Sequence, residues 1–160
     1  VASYPPGLRE NGGQYTHAAV WFCRALFESG NQKEGEAVLS LLNPLNKDEA
    51  VYKTEPYYFA GDVYAAVEPG RGGWSLYSGS AGQFYALVTE VLLGLRFING
   101  NLYFHPNPPK SWGAFQFFIY LGGAKIEVTV AENAAGRVEI DGEAAAFLRP
   151  DGENHIVKIF

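Results

Sequence analysis

The stretch "SAGQFYALVTEVLLGLRFINGNLYFHP", residues 80–106, decides the fold, because the hydrophobic period changes inside it. Up to Leu95 the apolar residues recur at helical spacing, with Ala81, Phe84, Tyr85, Val88, Val91 and Leu92 on one expected face. Beyond it, "LRFING-NLYFHP" reads as two short strands around a turn at Asn99-Gly100-Asn101. The sequence therefore predicts helices first and antiparallel strands afterwards, with the switch near residue 95 and no long linker.

Working backward from that switch, the pattern is mainly helical from Tyr15. The run "HAAVWFCRALFESG" is apolar on nearly all sides up to Arg24, the mark of a helix buried among others, and Gly30 supplies its stop. "KEGEAVLSLLNP" places Ala37, Val38, Leu41 and Leu42 at helical spacing before Pro44 and predicts the second arm of a helical hairpin. "EPYYFAGDVYAAV" reads as a third helix with Pro56 in its first turn. Working forward, "AFQFFIYLGGAKIEVTVAE" predicts two strands around Gly122-Gly123. "GRVEIDGEAA" and "HIVKIF" complete the β region, punctuated by Asp141-Gly142 and Asp151-Gly152.

Composition narrows the function. With 48% apolar residues among 160, the chain can build a core. The net charge is −5 and the Lys and Arg residues are scattered, which disfavours nucleic acid as a partner, since phosphates need a basic surface. The single cysteine, Cys23, lies in an apolar run and reads as a buried structural thiol. His17, His105 and His155 are far apart and no Cys/His cluster exists, so no metal site is expected. His105 reads as a turn residue and His155 as a residue of an exposed strand. No apolar stretch has membrane-spanning length. The chain starts at Val1 and its first motif arrives by Arg9, which reads as the C-terminal piece of something larger.

Three polar stretches carry chemistry. In "RENGGQYTHA", residues 9–18, two glycines permit close backbone approach, and His17 falls where unpaired helix N–H groups favour an anion. Equally, Asn11 or Thr16 would cap the helix and His17 would be an ordinary core histidine. In "GRGGWSLYSGSAG", residues 70–82, Ser78-Gly79-Ser80 enters a helix as either an oxyanion cradle or an N-cap, while Arg71 and Trp74 offer charge and a stacking surface. The glycines are not followed by the lysine of a nucleotide-phosphate loop. In "VYKTEPYYFAGDVY", residues 51–64, Tyr52, Lys53, Glu55, Tyr57 and Asp62 mix acids with aromatics, as saccharide grooves do and as an amphipathic helix entry also does.

Taken in order, "RENGGQYTHAAVW", "LLNPLN", "VYKTEPYYFAGDVY", "GRGGWSLYSGSAG" and "LLGLRF" resemble the glycoside phosphorylase family of cellobiose and chitobiose phosphorylases and cyclic β-1,2-glucan synthases. A weaker match continues through "PNPPKSW" and the strand-rich tail. The resemblance implies an α+β chain: residues 1–95 as the last helices of an (α/α)6 toroid, residues 96–160 as a small antiparallel, β-sandwich-like domain. It implies inverting phosphorolysis of β-glucosides, with inorganic phosphate as co-substrate, no cofactor, and an α-sugar 1-phosphate as product. His17 matches the family's phosphate-binding histidine. Ser78 stands where many members carry threonine, and Gly79 brings backbone to the same anion. Arg9, Glu10, Tyr57 and Trp74 are the expected substrate contacts. The general acid is expected upstream of the chain, so no catalytic residue is assigned, and Glu10, Glu55 and Asp62 do not inherit that role. The "RENGGQYTHA" wording is nearer the β-1,2-glucan-acting members.

The expected partners are a β-linked oligosaccharide and phosphate, with a homodimer in the full-length parent. The expected location is the cytoplasm, or a membrane-anchored parent if it is of the glucan synthase type. Two other readings stay open: a non-catalytic carbohydrate-binding module resting on the aromatic-rich tail, and a piece of an α/α-toroid glycoside hydrolase that uses water.

Overall fold

The computed structural model describes residues 3–55, 58–76 and 78–160, with Ser78 described by its backbone alone. The chain divides into two compact units, Val1–Leu87 and Val88–Phe160.

In the first unit, α1 (Thr16–Glu28) and α2 (Gln32–Leu42) form the expected helical hairpin. Helix α1 buries Thr16, Val20, Cys23 and Phe27, a stripe at spacings of four, three and four residues. Gly30 ends it at φ +81°, and the Asn31 N–H reaches back to the Leu26 carbonyl at 2.8 Å. Gly35 of α2 lets the helices close: a side chain there would start 2.9 Å from the Phe27 ring. Neither Asn11 nor Thr16 caps α1. Tyr15 occupies the N-cap without a side-chain bond, and the Asn11 amide donates to the Tyr4 carbonyl instead. After a short turn, α3 (Glu49–Tyr52) is capped by the Asp48 carboxylate, which accepts from the Ala50 N–H.

The third helix expected from "EPYYFAGDVYAAV" does not form over its described residues. Pro56 and Tyr57 lie outside the described residues, and Asp62–Val63 forms a strand, β2. It pairs antiparallel with β1 (Gln14–Tyr15) on one side and β3 (Gly72–Gly73) on the other. Backbone pairing on both edges outweighs the helical propensity of one short apolar run. The segment from Tyr15 to Leu95 is thus not purely helical.

The last helix begins as α4 (Ser78–Ala86), packs on α1, and loosens to a π-helical stretch over Leu87–Leu92. The Leu93 N–H bonds the Val88 carbonyl, five residues back. Ser80, Leu87, Val91 and Leu92 are buried, whereas Ala81 and Tyr85 of the expected face are exposed.

The second unit is built of strands, as the sequence predicts. Strands β4 (Leu95–Ile98) and β5 (Asn101–Phe104) form a hairpin around Asn99 and Gly100, both at positive φ. Strands β6 (Phe115–Leu121), β7 (Ala124–Val130), β8 (Val138–Ile140), β9 (Glu143–Ala144) and β10 (His155–Ile159) build one sheet in the order β6–β7–β10–β8–β9. Ile126, Val128, Val130, Val157 and Ile159 point to one face and bury against Leu102 and Phe104 of the hairpin. The sheet is antiparallel at every junction but one: β10 runs parallel to β7. The chain between residues 131 and 154 is longer than the dozen or so residues a parallel return needs, and it lets β10 enter between β7 and β8.

Candidate functional site

The β1–β2–β3 sheet stitches the three polar stretches together, because each contributes one strand. Register sets Tyr15 opposite Asp62 and Asp62 opposite Gly73. The Thr16 N–H, one of the unpaired donors at the start of α1, bonds the Gly61 carbonyl at 3.1 Å, which fixes where the helix begins.

The "ENGG" glycines are needed for this entry. Gly12 adopts φ +102°. A Cβ on Gly13 would lie 2.7 Å from the Arg9 nitrogen, and the Gly13 N–H donates to the Arg9 carbonyl at 2.9 Å. Arg9 itself sits at φ +47°, held there by Asp62, whose Oδ2 accepts the Arg9 N–H at 3.1 Å. The turned loop stacks the Arg9 guanidinium on Trp74 at 4.5 Å and brings it within 3.7 Å of the Glu10 carboxylate. Arg9, Glu10 and Trp74 are therefore brought together. Tyr57 lies outside the described residues.

His17 is the second residue of α1. Its ring packs edge-on against Trp21 at 4.6 Å and tilted against Tyr15 at 5.9 Å. Trp21 in turn donates its indole N–H to Gln83 of α4 at 3.0 Å. That tie brings the start of α4 to the histidine: a Cβ on Gly79 would lie 3.2 Å from His17 Nδ1. His17 and Gly79 are thus neighbours, and the Ser78 side chain lies outside the described residues.

Sequence reasoning missed a set of buried polar atoms around the same entry. Arg9 Nε, Gln14 Nε2, Thr16 Oγ1, His17 Nε2, Asp62 Oδ1 and Ser80 Oγ are buried without a hydrogen-bond partner among the described residues. Buried polar groups are nearly always paired, so these atoms are exceptions among the described residues. Thr16 and Ser80 read as ordinary helix-entry residues in the sequence. Asp62 was legible only as an acid near aromatics, and the structure buries it at 2% exposure.

The other acids stand apart. Glu55 is exposed, and the Ser75 hydroxyl donates to its carboxylate and holds it below the usual carboxylate range. It borders a groove of about 200 Å³ whose walls include Leu45, Lys47, Glu49, Tyr52 and Lys53 but neither His17 nor Gly79. Cys23 is buried with Sγ 3.5 Å from the Gly35 carbonyl, and burial pushes its thiol up to about 11, as a structural thiol requires. His105 is exposed beside Tyr103. His155 is not on an exposed face: alternation turns it to the same side as Val157 and Ile159, and its side chain is 12% exposed. Among the described residues no group of three or more His, Cys, Asp or Glu is placed to hold a metal, and no helix is long and apolar enough to cross a membrane.

Comparison with known proteins defines the class first. Residues 1–94 match the glycosyl hydrolase 94 superfamily catalytic domain, and residues 95–157 match the glycosyl hydrolase family 65 C-terminal domain. The chain belongs to the glycosyl hydrolase 94 superfamily. Among individual relatives, it is 36% identical over 140 residues to the cyclic beta-(1,2)-glucan synthase NdvB of Rhizobium meliloti, covering 84% of this chain and 5% of that protein. It is 26% identical over 155 residues to the 1,2-beta-oligoglucan phosphorylase of Listeria innocua, covering 84% of this chain and 14% of the relative. It is 25% identical over 165 residues to the N,N'-diacetylchitobiose phosphorylase of Vibrio furnissii, covering 96% and 20%. The chain thus spans between 5% and 20% of the length of these relatives.

Proposed function

We propose that this chain is part of an inverting glycoside phosphorylase and supplies the wall that holds phosphate against the sugar. In the reaction, a phosphate oxygen attacks the anomeric carbon of a β-glucoside, the C–O bond to the leaving sugar breaks, and an acid protonates the departing oxygen. The products are an α-sugar 1-phosphate and the shortened glycan. The observation that carries the reading is the approach of His17 Nδ1 to Gly79 at the first turn of α4, where helix N–H groups favour an anion. The Ser78 hydroxyl completes the phosphate contact, and Arg9, Glu10, Tyr57 and Trp74 meet the sugar. Glycine at position 79 keeps the imidazole and the helix backbone close enough to share one oxyanion.

The family match supports this reading, and so does the glycan named in two of the relatives. A β-1,2-linked glucan is the preferred substrate, supported by the 36% identity to the glucan synthase against 25% to the chitobiose enzyme. Exposed Trp21 and Phe22 on α1 and Tyr85 on α4 support a helical domain in which further helices cover these two, as an (α/α)6 toroid would. Residues 1–95 would belong to that toroid and residues 96–160 to the C-terminal β domain. The general acid comes from outside these 160 residues, phosphate is the only co-substrate, and no cofactor takes part.

The test is calorimetric titration with inorganic phosphate, with and without a β-1,2-linked glucose oligosaccharide. The expected result is phosphate binding that disappears in His17→Ala while its circular dichroism stays unchanged, with no sugar 1-phosphate released by the chain alone. Glycan binding indifferent both to phosphate and to His17→Ala would overturn the reading in favour of a carbohydrate-binding module.

A further inference from the structure

His155 opens β10 at the point where the core face of the sheet ends. Its two ring nitrogens meet two different carboxylates: Nδ1 lies 2.7 Å from Asp141 Oδ2, and Nε2 lies 3.0 Å from Asp151 Oδ1. A neutral imidazole has one N–H and one lone pair, so one of these contacts would set a lone pair against a carboxylate oxygen. Only the imidazolium donates to both. The carboxylates are anchored in turn. Asp141 Oδ1 accepts the Ile156 N–H and Asp151 Oδ1 accepts the Glu153 N–H, each at 2.9 Å. Asp141 sits at φ +53° in the β8–β9 turn, and Asp151 precedes Gly152 in the turn that leads into β10. The Lys125 N–H of β7 adds a bond to Asn154 at 2.8 Å.

We propose that His155 is a pH-operated clamp: as a cation it ties the β8–β9 turn and the 151–154 turn to the first residue of β10, and on losing its proton it lets that end of the strand open. The location gives the clamp its leverage. β10 is inserted between β7 and β8, parallel to one and antiparallel to the other, and a slip of one residue would turn Val157 and Ile159 out of the core. The other charged groups on the surrounding strands do not reach the ring. Lys125 and Glu127 on β7 pair with each other, Glu139 on β8 pairs with Arg137, and Glu143 on β9, Glu153 and Lys158 make no ion pair with it among the described residues.

The sign of the pH dependence follows from the partners. Asp141 first, with Asp151, raises the His155 pKa above its ordinary 6.5, so the clamp is fully present below that pH and is lost as pH rises through the raised value. Both aspartates are held below their ordinary 3.8 by backbone N–H bonds and by His155, so the same contacts fail again when acid protonates them. The clamp works between those limits.

The experiment is an NMR titration of the His155 ring in the 160-residue chain, with amide exchange at Ile156 and Val157 followed over the same pH range. The expected midpoint lies above 6.5 and falls towards it in Asp151→Asn and in Asp141→Asn. Exchange at Ile156, corrected for its intrinsic pH dependence, accelerates about tenfold or more as pH crosses the midpoint, and His155→Gln shows no such step. A wild-type midpoint at or below 6.5, pH-independent protection of Ile156, or an identical step in His155→Gln would each overturn the proposal. The wild-type readings decide it even if a variant does not fold.

Discussion

Replacing Gly79 with alanine should separate binding from stability at the phosphate wall. The new Cβ would sit 3.2 Å from His17 Nδ1 and 3.6 Å from its Cε1, and no other heavy atom of the described residues, outside its own helix backbone and chain neighbours, lies within 4 Å. The nearer distance is a few tenths of an ångström too short for comfort, so the ring must give way by about that much. It has little room to do so, since Trp21 and Tyr15 pack around it. The helix, by contrast, gains: Gly→Ala is worth about 0.5–1 kcal/mol in a helix interior and less at the second residue of α4, which offsets part of the strained contact. We expect Tm to change by no more than about 2–4 °C, the shift that about 1 kcal/mol produces at this size. Phosphate affinity should fall by about tenfold or more, or about 1.4 kcal/mol, because the methyl fills the space in which the anion would touch both the imidazole and the helix N–H groups. Differential scanning calorimetry and phosphate titration on the same preparation measure the two quantities. Undiminished phosphate binding by a folded Gly79→Ala chain would refute the shared oxyanion pocket.

Two further substitutions test the framework around it. Asp62→Ala removes the acceptor that holds Arg9 at positive φ, and thermal denaturation should show a loss of about 1–3 kcal/mol; Asp62→Asn keeps an oxygen for that N–H and should lose less. Gly94→Ala should be far more damaging, by about 3 kcal/mol or more in urea denaturation, since its Cβ would fall 2.0 Å from the His105 carbonyl carbon at a backbone φ of +69°.

Legibility followed the length of each element. Strand β7 was readable because its seven residues show period-2 alternation, β6 because it is a short aromatic-rich apolar run, and their turn carries the Gly122-Gly123 pair that supplies positive φ. The α1–α2 hairpin was readable from a buried stripe and a glycine stop. Strands β1, β2 and β3 have two residues each, too few to show any period, and their pairing spans more of the chain than a sequence window sees.

The amino-acid order alone determined that the helices of this protein precede Leu95 and that the chain after it is strand-rich, and it placed His17, Ser78 and Gly79 at the starts of two helices. Those features are local: they depend on side-chain period, glycine and the unpaired groups at a helix end. Only the tertiary structure decided that Asp62 is buried beneath Arg9, that His17 faces Gly79, and that His155 lies between two aspartates on the core side of a strand inserted parallel to β7. Each of these joins residues from separate segments, and such contacts exist only once burial and backbone pairing have brought the segments together.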